Sequence, residues 1–241
     1  MTDFFPILIM NARPGAGKSE ITSYLQQIPL EERISRFHIG PMQVIDDFPL
    51  LWAWLEEDDL LERIFKRPRL HTTSDGYFKY DDMWHLLIRR LNLEYSKWCR
   101  DSDREATVLL EFARGAELGG YQAAYQHLSD TILQRAACLY VQVSYEESLR
   151  KNRKRYNPTR PDSILEHSLD DEKMERLYRN DDWQDFSSSN PIHLTVRGIQ
   201  LPYVVLENED DITTLGGTAL SERLESVLGR LWTIWQEKQK I

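Results

Sequence analysis

Cysteine is nearly absent from this chain: Cys99 and Cys138 lie in separate segments without metal-ligand spacing. A disulfide framework is thereby excluded, and a reduced cytosolic setting is expected. Positive charge is in short supply too. Lys and Arg total 30 against 39 Asp and Glu, giving a formal net charge of −9. Bulk attraction to nucleic acid or to an anionic membrane is therefore not expected. Long apolar runs are also missing. Residues 4–10 are too few to span a bilayer and have no basic leader, so a cytoplasmic protein without a membrane partner is expected. Internal repeats, low-complexity tracts and Gly/Ser linkers are lacking, which points to one domain over residues 1–241.

What is present is an alternation of short apolar runs and helical patterns. Residues 4–10 read as a strand buried on both faces, followed by a Gly-rich turn and a helix over 19–27. Further strands are expected at 36–40, 106–111, 138–144 and 203–206, with 192–196 beside the last. From Tyr77, apolar residues recur at three- and four-residue steps through Tyr80, Trp84, Leu87, Ile88, Leu91, Tyr95 and Trp98. Near the end Leu220, Leu224, Val227, Leu228, Leu231 and Trp235 do the same. Alternating strands and helices predict an α/β fold with a mainly parallel sheet and helices on both faces. In such sheets ligands sit at the carboxyl ends of the strands.

The chemistry-bearing segments fall at those ends. Ala12-Arg13-Pro14-Gly15-Ala16-Gly17-Lys18-Ser19 matches the P-loop (Walker A) pattern with Ala in place of its first Gly. Gly15 and Gly17 let backbone N–H groups turn toward a polyphosphate without Cβ clashes. The positive end of the following helix points at the same anion. Lys18 is expected on the β- and γ-phosphates and Ser19 on Mg²⁺. Pro14, Ala16 and Glu20 complete the set expected around the nucleotide.

Val108-Leu109-Leu110-Glu111 has the Walker-B form, an apolar strand ending in an acid that can orient Mg²⁺. Glu111 at a solvated sheet edge is the alternative. Arg114 just beyond is either a clamp on a substrate oxygen or a surface residue. Residues 150–155 read Arg-Lys-Asn-Arg-Lys-Arg and lead to Pro158, Arg160 and Pro161. Such a segment is either a solvated helix face or a lid that carries Arg155 or Arg160 onto transferring phosphate. Asp46 and Asp47 are candidates for taking the acceptor's proton, Asp47 preferred, or else caps of a helix starting near Pro49. Between 50 and 98, Trp52, Trp54, Phe65, Tyr77, Phe78, Tyr80 and Trp84 either line an apolar acceptor slot or form helix–helix core. Arg63, Arg67 and Arg69 would suit a phosphate on the acceptor.

The loop at 12–19, the Leu110-Glu111-Phe112-Ala113-Arg114 strand end and the 144–155 segment together resemble the P-loop kinases of nucleosides and nucleotides, the deoxynucleoside kinases above all. The resemblance spans about residues 4–30 and 105–185, including 164–167 and Trp183. It implies a three-layer P-loop NTPase fold with a five-stranded sheet in the order 2-3-1-4-5. It also implies an acceptor-side helical insert over about 49–100 and a lid over about 150–180. The implied activity is transfer of the ATP γ-phosphate, with Mg²⁺, to a nucleoside, nucleotide or other small hydroxyl compound. Arg114 takes the place of the family's substrate arginine, and its Arg-x₃-Arg lid pair falls on Lys151 and Arg155. Asn208, after the fifth strand, falls where such kinases hold adenine, although a polar turn also accounts for it. The chain departs from the family in having Lys151 for the first lid Arg, and Asp46-Asp47 where a Glu is usual. Asp-Asp-Phe resembles uridine-kinase-like enzymes. The competing class is an NTP-binding switch or regulatory ATPase. No guanine-specifying Asn-Lys-x-Asp and no set of motor-type arginine-finger segments is present. Monomer and homodimer are both compatible with the sequence.

Overall fold

A computed structural model describes residues 2–155, 159 and 168–240, apart from the side chain of Leu118. Among the described residues six strands are formed: β1 (Ile7–Ala12), β2 (Met42–Asp46), β3 (Thr107–Phe112), β4 (Ala136–Gln142), β5 (His193–Val196) and β6 (Ile199–Glu207). Between and after them run α1 (Lys18–Gln27), α2 (Leu30–Phe37), α3 (Asp47–Arg63), α4 (Met83–Asp101), α5 (Gly120–Gln126) and α6 (Asp130–Arg135). They are followed by α7 (Tyr145–Arg155), α8 (Asp171–Tyr178), α9 (Trp183–Ser187), α10 (Ile212–Leu215) and α11 (Gly217–Lys238). Among the described residues no helix is long and apolar enough to cross a membrane.

The sheet order is β2-β3-β1-β4-β6-β5. Five strands run parallel, and β5 pairs antiparallel with β6. This corrects the five-stranded order 2-3-1-4-5. The additional edge strand comes from a hairpin whose two turn residues, Arg197 and Gly198, have φ of 48° and 79°. A two-residue turn with both φ positive matches the twist of antiparallel strands. The second strand is also displaced. Arg36 and Phe37 end α2, and β2 starts at Met42. An Arg36–Glu32 ion pair one turn apart, at 2.6 Å, supports a helix where a strand is expected at 36–40.

Alternation along β1 builds three layers. Ile7 and Ile9 join a core with Ile88, Leu91, Tyr121 and Leu133 on one face. Leu8, Met10 and Ala12 join Ile21, Leu25, Leu224 and Leu228 on the other. All six β1 residues are buried, and each fully buried aliphatic side chain contributes about 1.5–3 kcal/mol. The strand is thereby held so that its carboxyl end opens beside those of β2, β3 and β4. The expected long helix from Tyr77 begins instead at Met83. The residues before it form a turn closed by a Thr72–Phe78 bridge and by Thr73, whose N–H donates to the Tyr77 carbonyl at 2.8 Å.

Candidate functional site

The chain leaves β1 through Arg13 to Gly17 and enters α1 at Lys18. Gly15 and Gly17 take φ of 73° and 111°, a region that side chains with a Cβ rarely occupy. Space forbids a side chain there as well. A Cβ on Gly17 would lie 2.5 Å from Thr213 Oγ1 and 2.9 Å from Asn208 Nδ2, and one on Gly15 would meet the backbone of Ser148 and Asn152. No side chain caps α1, so its first N–H groups have no side-chain acceptor.

Two other segments brace this loop from behind. Ser148 Oγ donates to the Pro14 carbonyl at 2.7 Å, and Asn208 Nδ2 donates to the Ala16 carbonyl at 2.9 Å. Thr213 Oγ1 donates to Glu20 at 2.8 Å, and Lys151 Nζ lies 3.1 Å from Glu20 and 2.7 Å from Asp211. Asn208 is fully buried and committed to the loop. Its bonds to the Ala16 carbonyl and to Thr213 fit the polar-turn alternative expected from the sequence. Lys151 is buried as well, and its ammonium is spent on Glu20, Asp211 and Thr213.

In front of the loop lies a cleft of about 960 Å³. Its walls include Pro14, Gly15, Ala16, Gly17, Lys18, Ser19 and Glu20, together with Asp46, Asp47, Glu111, Arg114 and Arg155. The topology explains the convergence. Asp46 ends β2 and stands in register with Glu111 on β3, which stands in register with Met10 on β1. The two acids thus emerge at matching positions of neighbouring parallel strands, next to the loop that follows β1.

Three carboxylates here share the influence of Lys18. Burial pushes Asp46 up to about 7, aided by Asp47 and Glu111 and opposed by Lys18. Its Oδ1 accepts from Phe48 N at 3.0 Å, so Asp46 is also the N-cap of α3. Burial likewise raises Asp47, against the pull of Arg114 and Lys18. Arg114 Nη1 meets Asp47 Oδ2 at 2.6 Å, and both side chains are buried. Arg114 Nη2 donates to the Trp84 carbonyl at 3.2 Å, and its guanidinium lies 5.2 Å from the centre of the Trp84 ring. Burial raises Glu111, opposed by Lys18 and by a hydrogen bond from Thr22 at 3.0 Å. Burial draws Arg155 below its ordinary value, while Asp46 and Glu20 pull the other way. Arg160, Pro158, Pro161 and residues 164–167 lie outside the described residues.

The aromatic insert divides. Trp52, Tyr77, Phe78 and Trp84 line the cleft. Trp54 is buried and stacked on His71 at 4.9 Å, whereas Phe65 and Tyr80 are largely exposed. Arg63 and Arg67 are not on the wall, and Arg69, which is, pairs with Asp59 at 2.6 Å and with Glu62 at 3.1 Å. Residues that sequence reasoning missed complete the far side. Lys173, Arg176 and Tyr178 of α8 face the cleft, with Arg176 Cζ 4.5 Å and Lys173 Nζ 5.4 Å from the centre of the Tyr77 ring. Lys173 and Arg176, three residues apart, share a face of this short helix, whereas Tyr178 is not in phase with them, so the sequence spacing does not announce the three together.

Among the described residues no group of three or more His, Cys, Asp or Glu is arranged to hold a metal ion by itself. One hydroxyl and one carboxylate, Ser19 and Glu111, do suit Mg²⁺ that takes its other oxygens from phosphate and water.

No family model matches the chain. No curated protein matches it. Among solved structures it is similar to one described as the crystal structure of TT1252 from Thermus thermophilus, at 16% identity and a TM-score of 0.43, covering 93% of this chain and 97% of that one. A likeness of that degree assigns no chemistry to this chain.

Proposed function

We propose that the protein is an ATP-dependent phosphotransferase that moves the γ-phosphate to a small hydroxyl compound, a nucleoside or nucleotide by preference, in the cytoplasm. One observation carries the reading: a Gly-rich turn at the head of α1 shares a single cleft with Asp46, Asp47, Glu111 and Arg114. Phosphoryl transfer needs those components, namely an anion cradle, a metal-orienting acid, a proton acceptor and cations on the transferring group.

In this reading the loop and the first turn of α1 hold the polyphosphate through backbone N–H groups, and Lys18 bridges its outer oxygens. Bound ATP and Mg²⁺ supply the transferable phosphoryl and a screening charge, with Ser19 and Glu111 as the residues that would hold the metal. Arg155 neutralises charge on the transferring group. The roles of the adjacent acids divide by environment. Asp47 is committed to Arg114 and orients it, so Asp46 is the better base: its pKa of about 7 matches a group that must take a proton near neutrality. Arg114, backed by Trp84, is placed to hold an acceptor oxygen. Trp52 and Phe78 offer apolar wall to the rest of the acceptor.

The test is a transfer assay with radiolabelled ATP and Mg²⁺ across nucleosides, nucleoside monophosphates, sugars and small alcohols. Labelled acceptor is expected from one class. Nucleotide binding with slow hydrolysis and no labelled product would instead favour a switch or regulatory ATPase.

A further inference from the structure

Arg13 belongs to the Gly-rich turn, yet its side chain points away from the cleft wall and is only 13% exposed. Nη1 donates to the carbonyl of Val143, the residue that follows β4, at 3.0 Å. Nε donates to the Tyr178 carbonyl at 3.1 Å and Nη2 to that of Arg179 at 3.5 Å, both at the carboxyl end of α8. Nη2 also meets Asp181 Oδ2 at 2.8 Å. Asp181 is itself fixed, accepting from Tyr140 OH at 3.2 Å and from Trp183 N at 3.1 Å. One guanidinium therefore joins the turn to the sheet and to the end of α8. A planar fork with several N–H groups can serve carbonyls and a carboxylate together, which a lysine ammonium cannot do with the same geometry.

Side chains of α8 also line the cleft. Lys173 and Arg176 reach over Tyr77 of the insert, and Tyr178 lies close enough to Arg114 and Asp47 to feel both charges. The chain of contacts runs from the turn through Arg13 to α8, and from α8 across the cleft to Tyr77. We infer that Arg13 is a positioning residue that couples the phosphate end of the cleft to its acceptor wall, so that a nucleotide settling into the turn steadies α8. This rests on the phosphotransfer reading, because it takes the turn to be where polyphosphate binds. It goes beyond that reading in linking nucleotide occupancy to the readiness of the acceptor site. By reciprocity, an ordered acceptor wall should favour nucleotide by the same factor.

Hydrogen exchange on the full chain tests it, with and without saturating Mg²⁺ and the non-hydrolysable analogue AMPPNP. In the wild type, amides at 13–22 and at 171–182 should both slow on binding, the second group by about threefold or more. In Arg13→Gln the slowing at 13–22 should remain while that at 171–182 is lost. Arg13→Lys should restore little of it. Should Arg13→Gln fail to fold, Asp181→Asn removes the ion pair from the other side and is expected to give the same separation. If nucleotide still protects 171–182 in these variants, Arg13 is merely structural and the coupling is refuted. If wild-type protein takes up no AMPPNP at all, the phosphotransfer reading itself falls, and the two failures are told apart by that first measurement.

Discussion

Arg114 and Asp47, 67 positions apart in sequence, meet at 2.6 Å with both side chains buried. A buried pair of this kind is costly to break from one side, because the remaining charge keeps its desolvation penalty and loses its partner. Arg114→Ala should therefore lower unfolding stability at pH 7 by about 3–5 kcal/mol. Arg114→Ala/Asp47→Asn should recover a substantial part of it. Urea unfolding of the two singles and the double closes the cycle, and additive losses would show that the pair is uncoupled.

Asp46 makes a prediction with two signs. A base must be unprotonated, so kcat/KM for transfer should fall as pH drops through about 7, and Asp46→Asn should lose both that limb and most turnover. The folded protein holds the Asp46 proton more tightly than the unfolded chain, where the ordinary value is 3.8. Its contribution to stability thus declines as pH rises from near 4 through 7. Asp46→Asn keeps a capping side chain for α3 and should raise the melting temperature at pH 8 relative to wild type. A variant no more stable than wild type there would mean that Asp46 is not strained by its setting.

Lys18 lines the cleft beside Asp46, Asp47 and Glu111. Lys18→Ala should cut turnover by about a hundredfold or more with the circular dichroism spectrum unchanged. Wild-type turnover in that variant would remove the turn from the site.

Asp58 supports the insert and not the chemistry. Burial disfavours its charge, but hydrogen bonds from Leu70 N, Thr72 Oγ1, Thr72 N and His71 N hold it down at about 2. Because the folded value is depressed, its stabilisation is full above about 4 and fades as pH falls toward 2. Asp58→Asn should cost about 2 kcal/mol at pH 7, with faster hydrogen exchange over 64–80. The difference from wild type should shrink in acid. A constant difference down to pH 2 would count against the carboxylate as the anchor.

The sequence was most legible where conformation is set locally. The turn at 12–19 needs positive φ at Gly15 and Gly17, and those are the residues that adopt it. Strand ends carrying Glu111 and Arg114 could be read because apolar runs announce buried parallel strands. Segments that balance two periods could not. Residues 36–40 hold too few apolar positions to tell strand from helix end, and the charge pair one turn apart is a small contribution that a sequence pattern does not weigh. The strand at 192–196 was expected beside the last, but the turn at 197–198 lacks the Asn-Gly or Asp-Gly signal that would have announced an antiparallel hairpin there. Long-range juxtaposition was beyond reach altogether. Lys151 and Glu20 lie 131 positions apart, and nothing in the basic run at 150–155 marks Lys151 as buried while Arg153 and Lys154 remain exposed. Trp52 and Trp54 show the same limit: two residues apart on α3, they face nearly opposite ways, so one reaches the cleft and the other stacks on His71.

The sheet tapers toward its margins. β2 and β5, its outermost strands, have five and four residues, whereas β6 has nine. Short borders present few dangling amides and carbonyls for another polypeptide to zip onto. Edge-to-edge pairing of this sheet with another is thereby disfavoured, even though the interior strands are among the most apolar stretches of the chain.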